Sequence, residues 1–187
     1  DDGLQDITMH YDLTFVCFNN LTWIGNGNLI PAGPMREKLE SLKKYNAVFL
    51  NGNGENISRL KPIIKKFNKK IKIFETFYEP LKIKKFNKKD KYLAFSGIGN
   101  PKSFKKTLIK NKFNIIKEII FADHYQYTSN DIINIKRSAK ELGAKIITTE
   151  KDYIKLKPKD SKGINFLEVK LVLKKENELI DLIKTKI

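Results

Sequence analysis

With 187 residues, 41% of them hydrophobic, the chain holds enough apolar material for one medium domain or two small ones, which excludes a disordered segment. No apolar run reaches the roughly 18 residues that a membrane-spanning helix requires, and the single cysteine, Cys17, excludes an internal disulfide and a cysteine-built zinc site. The net charge of +16 favours anionic partners, whether nucleic acid, phosphorylated substrates or an anionic membrane face, but only Arg36, Arg59 and Arg137 are arginines, so most of the surplus reads as lysine-rich solvated faces.

Asp1-Asp2-Gly3-Leu4-Gln5 opens the chain as a polar turn. Tyr11 to Phe18 is apolar and predicts a strand in which Cys17 is a small buried side chain. His10 falls in a polar connection and reads as surface. Residues 23–37 are rich in Gly, Asn and Pro and predict a shaped loop. A short helix follows to about Lys44, then a strand over Ala47 to Leu50 that stops at Asn51-Gly52-Asn53-Gly54. Ser58 is positioned to cap a helix bearing Leu60, Ile63, Ile64 and Phe67. Ile71 to Phe77 predicts a strand, and the charged stretch Lys82 to Lys91 a linker or domain boundary.

In the second half, strands over Tyr92–Ser96, Ile115–Phe121 and Ala144–Ile147 alternate with helices over Ser103–Asn111 and from Thr128 to Leu142, where Gly143 supplies the stop. A last strand over Ile164–Val172 and a closing helix from Lys174 complete the chain. Strand–helix alternation of this kind argues for a mainly parallel, Rossmann-like α/β sheet.

Chemistry-bearing residues gather at three strand ends: Gly97-Ile98-Gly99-Asn100-Pro101, Asp123-His124, and Thr148-Thr149-Glu150-Lys151-Asp152. If the strands run parallel, all three lie on the edge of the sheet where α/β proteins bind ligands. A histidine there is suited to proton handling, with Asp123 either orienting it or closing a turn. Glycines before a helix let backbone N–H groups approach an anion, or simply make a tight turn. Glu150 and Asp152 equally suit the start of a short helix. In the first half, Asp1-Asp2 is a carboxylate pair suited to Mg²⁺ if a strand precedes it. Arg36, rare in a lysine-rich chain, suits a bidentate contact with phosphate or carboxylate; a helix-surface ion pair with Glu40 is the competing use.

Taken together, six stretches resemble one family, the tetraacyldisaccharide 4'-kinases. They are Asp1-Asp2-Gly3-Leu4-Gln5; Gly25-Asn26-Gly27 with Leu29 to Glu37; Phe49-Leu50-Asn51-Gly52; Phe95 to Pro101; Phe121 to Tyr125; and Thr148 to Asp152. They occur in family order over Asp1 to about Asp152, and the loop ending in Pro34-Met35-Arg36-Glu37 is the most specific.

The resemblance implies a P-loop kinase that uses ATP and Mg²⁺ to phosphorylate the 4'-hydroxyl of a tetraacyldisaccharide 1-phosphate, a lipid A precursor. It implies work at the cytoplasmic face of the inner membrane, as a peripheral protein on an anionic surface. Residues 1–85 become the C-terminal remainder of the kinase core with its substrate loop, and 86–187 a Rossmann-like domain. Asp1 and Asp2 would hold Mg²⁺. Gln5, Asn26, Gly27, Arg36 and Glu37 would bind substrate, and His124, supported by Asp123, would act near the sugar hydroxyl.

Two departures follow. Asp6 stands where the family usually has a histidine, and a carboxylate near a phosphate is unfavourable. No Gly-x-x-x-x-Gly-Lys-Ser/Thr run occurs, so the ATP-binding P-loop and the aspartate partner of His124 are expected upstream, and these 187 residues alone are expected to be inactive.

Two rivals use the same residues. A basic α/β module for nucleic acid lacks an aromatic stacking motif or a recognition helix, so no nucleic acid is expected. A nucleotide-binding Rossmann domain using Gly97 to Asn100 lacks the third fingerprint glycine.

Overall fold

The computed structural model describes residues 3–6, 8–52 and 54–186. Its elements are β1 Phe15–Asn19, β2 Ala47–Asn51, α1 Ile57–Phe67, β3 Lys72–Pro80, β4 Lys91–Ser96, α2 Pro101–Lys110, β5 Asn114–Ile120, α3 Ser129–Glu141, β6 Lys145–Thr149, α4 Glu150–Tyr153, α5 Pro158–Ser161, β7 Ile164–Leu167, β8 Val169–Leu173 and α6 Glu176–Lys184. Short 3-10 turns cover Gly3–Gln5, Leu39–Lys44 and Ile83–Lys85. The fold is α/β, with every described pairing of β1, β2 and β3 and of β4 to β7 parallel.

The chain forms two units, Asp1–Glu79 with Leu171–Ile187, and Pro80–Lys170. The expected 85/86 boundary did not include this return of the C-terminal segment to the first unit. Its cause is local. The single strand expected over 164–172 is broken at Glu168, whose carbonyl accepts the Leu81 N–H (2.8 Å) and whose carboxylate takes Lys82 (2.8 Å) and Lys85 (3.3 Å). β7 therefore pairs with β6, while β8 joins the other sheet, in the order β1-β2-β3-β8. The break between the units at Glu79/Pro80 falls just before the 82–91 stretch, which itself belongs to the second unit: Phe86 is buried in its core.

In the first unit, α1 lays Ile57, Leu60 and Ile64 on the sheet, where they pack with Leu42, Val48, Leu50 and Ile71. That spacing is one face of an amphipathic helix. The helix starts after Asn56 rather than at Ser58: Asn56 sits at φ +59°, and its side-chain amide donates to the Asn20 carbonyl (3.1 Å).

The second unit has strand order β5-β4-β6-β7. Successive strand residues face opposite sides of a sheet. Tyr92 and Ala94 accordingly pack under α2 with Phe104 and Leu108, while Leu93 and Phe95 pack under α3 with Ile132 and Ile135. A sheet covered on both faces explains why β4 reads as a continuous apolar run. α3 begins with a capping box in which Thr128 and Asp131 satisfy each other's backbone N–H groups. β4 connects onward to β5 on one side of the sheet and β6 to β7 on the other, so the switch point of this unit lies beyond the carboxyl ends of β4 and β6.

Candidate functional site

In the first unit, a cavity of about 570 Å³ is bounded by the 3-10 turn Gly3–Gln5, by β1 and by the segment Pro34–Tyr45. Leu4, Phe18, Trp23, Met35 and Leu39 give it an apolar wall, and Gln5, Arg36, Glu37, Lys38 and Tyr45 give it a polar one. Three of the expected substrate residues, Gln5, Arg36 and Glu37, are thus brought together from positions more than 30 apart in sequence.

Glu37 is the anchor of that polar wall. The Gln5 side-chain amide donates to its Oε1 (2.9 Å), and the Tyr45 hydroxyl reaches both carboxylate oxygens (2.9 and 3.0 Å). Hydrogen bonds from Ser41, then Gln5 and Tyr45, hold the carboxyl below its usual range. In the opposite sense, burial and then the Glu37 carboxylate push the Tyr45 phenol up to about 12. The carboxylate is therefore ionised and largely occupied, able to orient neighbours and poorly suited to act as a mobile base. Arg36 is exposed on the same wall.

The loop before this wall is held by its own backbone. Ile30 N–H donates to the Met35 carbonyl (2.9 Å), Met35 N–H to Asn28 (3.2 Å), and Gly33 N–H to Leu29 (3.0 Å). Asn26 and Gly27, expected to bind substrate, do not line the cavity. Asn26 spans the loop instead, donating to the Ala32 carbonyl (2.8 Å) and accepting from Asn28 N–H (3.1 Å). Gly27 turns the chain at φ +80°. A side chain at Gly33 would collide with Asn26 Oδ1 and the Asn28 carbonyl.

Asp6, the residue out of family pattern, does not line the cavity. Its carboxylate accepts the hydroxyl (2.6 Å) and N–H (2.9 Å) of Thr8, and those two bonds lower its pKa. Cys17, expected to be buried, is exposed on β1 and lines the cavity, because β1 is an edge strand; the surrounding apolar atoms raise its thiol pKa.

In the second unit the three polar strand ends do fall on one sheet edge. Asp123 and His124 follow β5 and are both exposed, at 50% and 75%, with Nε2 and Oδ2 3.9 Å apart. The Asp123 carboxylate accepts the His124 backbone N–H (3.0 Å), and His124 lies at φ +58°. The left-handed region is uncommon for non-glycine residues, though histidine is among those that tolerate it best.

The Gly97-to-Asn100 turn is no open anion cradle. Asp152 Oδ2 takes the Gly97 N–H (3.0 Å), and Asn100 caps α2 through Ser103 N–H (3.0 Å). The Tyr127 hydroxyl is buried with no hydrogen-bond partner among the described residues, and burial, then the Asp152 carboxylate, push its pKa upward.

Asp1 and Asp2, the expected Mg²⁺ ligands, lie outside the described residues. Among the described residues, no group of three or more His, Cys, Asp or Glu side chains is placed to hold a metal ion, and no helix is long and apolar enough to cross a membrane.

Sequence reasoning missed Ser41 and Tyr45 in the first unit and Lys155 in the second. Ser41 and Tyr45 follow Glu37 by four and eight residues, a helix-like spacing that carries no chemistry on its own. Their role appears only once the segment 37–45 folds back on Gln5.

The family model described as tetraacyldisaccharide-1-P 4'-kinase matches residues 1–187. A protein of Pelagibacter ubique named tetraacyldisaccharide 4'-kinase is 48% identical over 179 residues, covering 96% of this chain and 57% of its own. A Rickettsia bellii protein of the same name is 38% identical over 183 residues, covering 97% and 54%. The crystal structure of LpxK from Aquifex aeolicus in complex with ATP superposes with a TM-score of 0.64 at 25% identity, covering 99% of this chain and 56% of that one. The chain thus spans about half the length of the relatives it matches.

Proposed function

Because this chain belongs to the tetraacyldisaccharide-1-P 4'-kinase family, we propose that it supplies the lipid-acceptor side of an enzyme that transfers the γ-phosphoryl group of ATP to the 4'-hydroxyl of a tetraacyldisaccharide 1-phosphate in lipid A biosynthesis. The observation that carries this reading is the shared cavity of Gln5, Arg36 and Glu37. An apolar wall beside a fixed carboxylate and an arginine matches an amphiphile with sugar hydroxyls and an anionic headgroup. Arg36 would take the phosphate through its guanidinium fork. Glu37, held by Tyr45 and Gln5, would orient Gln5 and accept from a sugar hydroxyl.

Phosphoryl transfer depends chiefly on positioning and charge stabilisation. In the second unit, His124 would orient and polarise the acceptor hydroxyl, with Asp123 fixing the His124 backbone. Asp1 and Asp2 would hold Mg²⁺, which would supply neutralising charge to the phosphates. ATP binding is assigned to a P-loop that these 187 residues do not contain. The lysine surplus would hold the protein at an anionic inner-membrane surface on its cytoplasmic side.

The test is acceptor binding followed by turnover. In mixed micelles the 187-residue chain is expected to bind tetraacyldisaccharide 1-phosphate, and Arg36→Ala to weaken that binding roughly 10- to 100-fold. Equal binding by wild type and variant removes the assignment of Arg36. Robust ATP hydrolysis or lipid phosphorylation by the 187 residues alone refutes the division of roles. Liposome binding indifferent to anionic lipid and to salt removes the membrane part.

A further inference from the structure

The Thr148-to-Asp152 stretch has no place in the cavity chemistry, yet Asp152 is a carboxylate with 0% exposure. Its Oδ2 accepts the Gly97 N–H (3.0 Å) and the Thr149 hydroxyl (2.8 Å), and its Oδ1 pairs with Lys155 Nζ (3.0 Å). Lys155 Nζ also donates to the Gly97 carbonyl (3.3 Å). One ion pair, its carboxylate fully buried and its ammonium partly so, therefore claims both backbone polar groups of a single residue at the switch point. A carboxylate has no donor and an ammonium no acceptor, so neither side chain alone grips both groups.

Gly97 is also where the loop bearing His124 rests. A Cβ on Gly97 would lie 2.8 Å from the Tyr127 hydroxyl and 3.2 Å from the Ala122 carbonyl; one on Gly99 would lie 2.9 Å from Asp123 Oδ2. Phe121, Tyr125 and Tyr127 pack on one another with ring centroids 4.7 to 5.4 Å apart, and Tyr127 packs on Phe95 at 5.4 Å. Inside this loop His124 is held at φ +58°. The Asp123 carboxylate holds that conformation locally by accepting the His124 N–H (3.0 Å), and it in turn depends on a fixed frame for residues 121–127.

We propose that the Asp152–Lys155 pair is the positioning element of the Asp123–His124 loop, fixing through Gly97 the turn on which residues 121–127 rest and so the place where the His124 imidazole is presented. Its functional meaning rests on the reading of His124 as the group that orients the acceptor hydroxyl. Asp152 and Lys155 touch no reacting atom in this scheme.

The experiment is solution NMR of the 187-residue chain as wild type, Asp152→Asn and Lys155→Met, with α1 of the first unit as internal control. Losing a hydrogen bond to a charged partner is expected to speed amide exchange at Gly97 and at residues 122–127 by roughly 10- to 100-fold. The strong intraresidue HN–Hα NOE that marks positive φ at His124 is expected to weaken. Exchange in α1 is expected to stay as in wild type. Lys155→Met should give the same pattern, smaller, and decides the matter if Asp152→Asn does not fold. Unchanged exchange and an unchanged His124 NOE overturn the proposal, as does a loss of protection spread evenly over the second unit. The functional reading fails separately: an active longer enzyme in which His124→Ala leaves phosphoryl transfer intact removes the role of His124 without touching these loop measurements.

Discussion

Replacing Tyr45 by Phe is the cleanest probe of the cavity wall. The ring packs against the core of the first unit and is retained in Phe, so only the hydroxyl that bridges both oxygens of Glu37 is lost. A hydrogen bond to a charged group contributes about 1.5–3 kcal/mol, and the partial exposure of this pair places it at the low end, roughly 1.5–2 kcal/mol.

The sign follows from linkage. The folded pKa lies above the unfolded one, so the contribution is complete below about pH 10 and is lost as pH rises through about 12. Trp23 is the single tryptophan and lines this cavity, so its fluorescence in urea reports on the first unit alone. Tyr45→Phe is expected to lower stability by about 1.5–2 kcal/mol at pH 7. The gap to wild type should narrow between pH 10 and 12, and most of the loss should vanish in a Glu37→Gln background. A gap below about 0.5 kcal/mol at pH 7, a gap that does not narrow, or additivity with Glu37→Gln refutes the reasoning.

Three further outcomes are expected. Gly99→Ala puts a methyl group 2.9 Å from Asp123 Oδ2; because that carboxylate is half exposed and can swing aside, the change should cost less than about 1 kcal/mol yet shift the His124 and Asp123 amide resonances, and unshifted resonances would show that the two loops are not in register. Thr128→Ala removes the capping box of α3 and should cost about 1 kcal/mol in thermal unfolding followed by circular dichroism; a change under a few tenths would mean that the cap is redundant. Lys88→Met should be neutral or stabilising in the same assay, because Lys88 Nζ is buried without an acceptor, 3.3 Å from the centre of the Phe113 ring, and burial lowers its pKa. A clear loss of stability would show that its cation–π contact outweighs desolvation.

Much of the architecture was legible because periodicity and punctuation are local. The spacing of Leu60, Ile64 and Phe67 marked α1, the Thr128-to-Asp131 run marked the start of α3, and β–α alternation gave parallel pairing in the second unit. The break of 164–172 into two strands was not legible. Both halves are apolar, and the interruption depends on Glu168 meeting Lys82, Lys85 and the Leu81 N–H from some 85 residues earlier. Cys17 read as buried because its neighbours are apolar, but an edge strand exposes what the same residues would hide in a central one.

The site divides along the same line. Residue chemistry alone singled out Arg36, Asp123 and His124, since a rare arginine in a lysine-rich chain and a histidine after a strand carry meaning wherever they fall, whereas Glu37 entered only through the family resemblance. Sequence order likewise carried the family. Tertiary structure decided what those residues do to one another: that Gln5, Glu37 and Tyr45 form one hydrogen-bonded wall, that Asn26 ties its own loop, and that the glycines at 97 and 99 make room for Tyr127 and Asp123. These are contacts between segments distant along the chain, and their energies depend on distance and burial, which local sequence patterns do not encode.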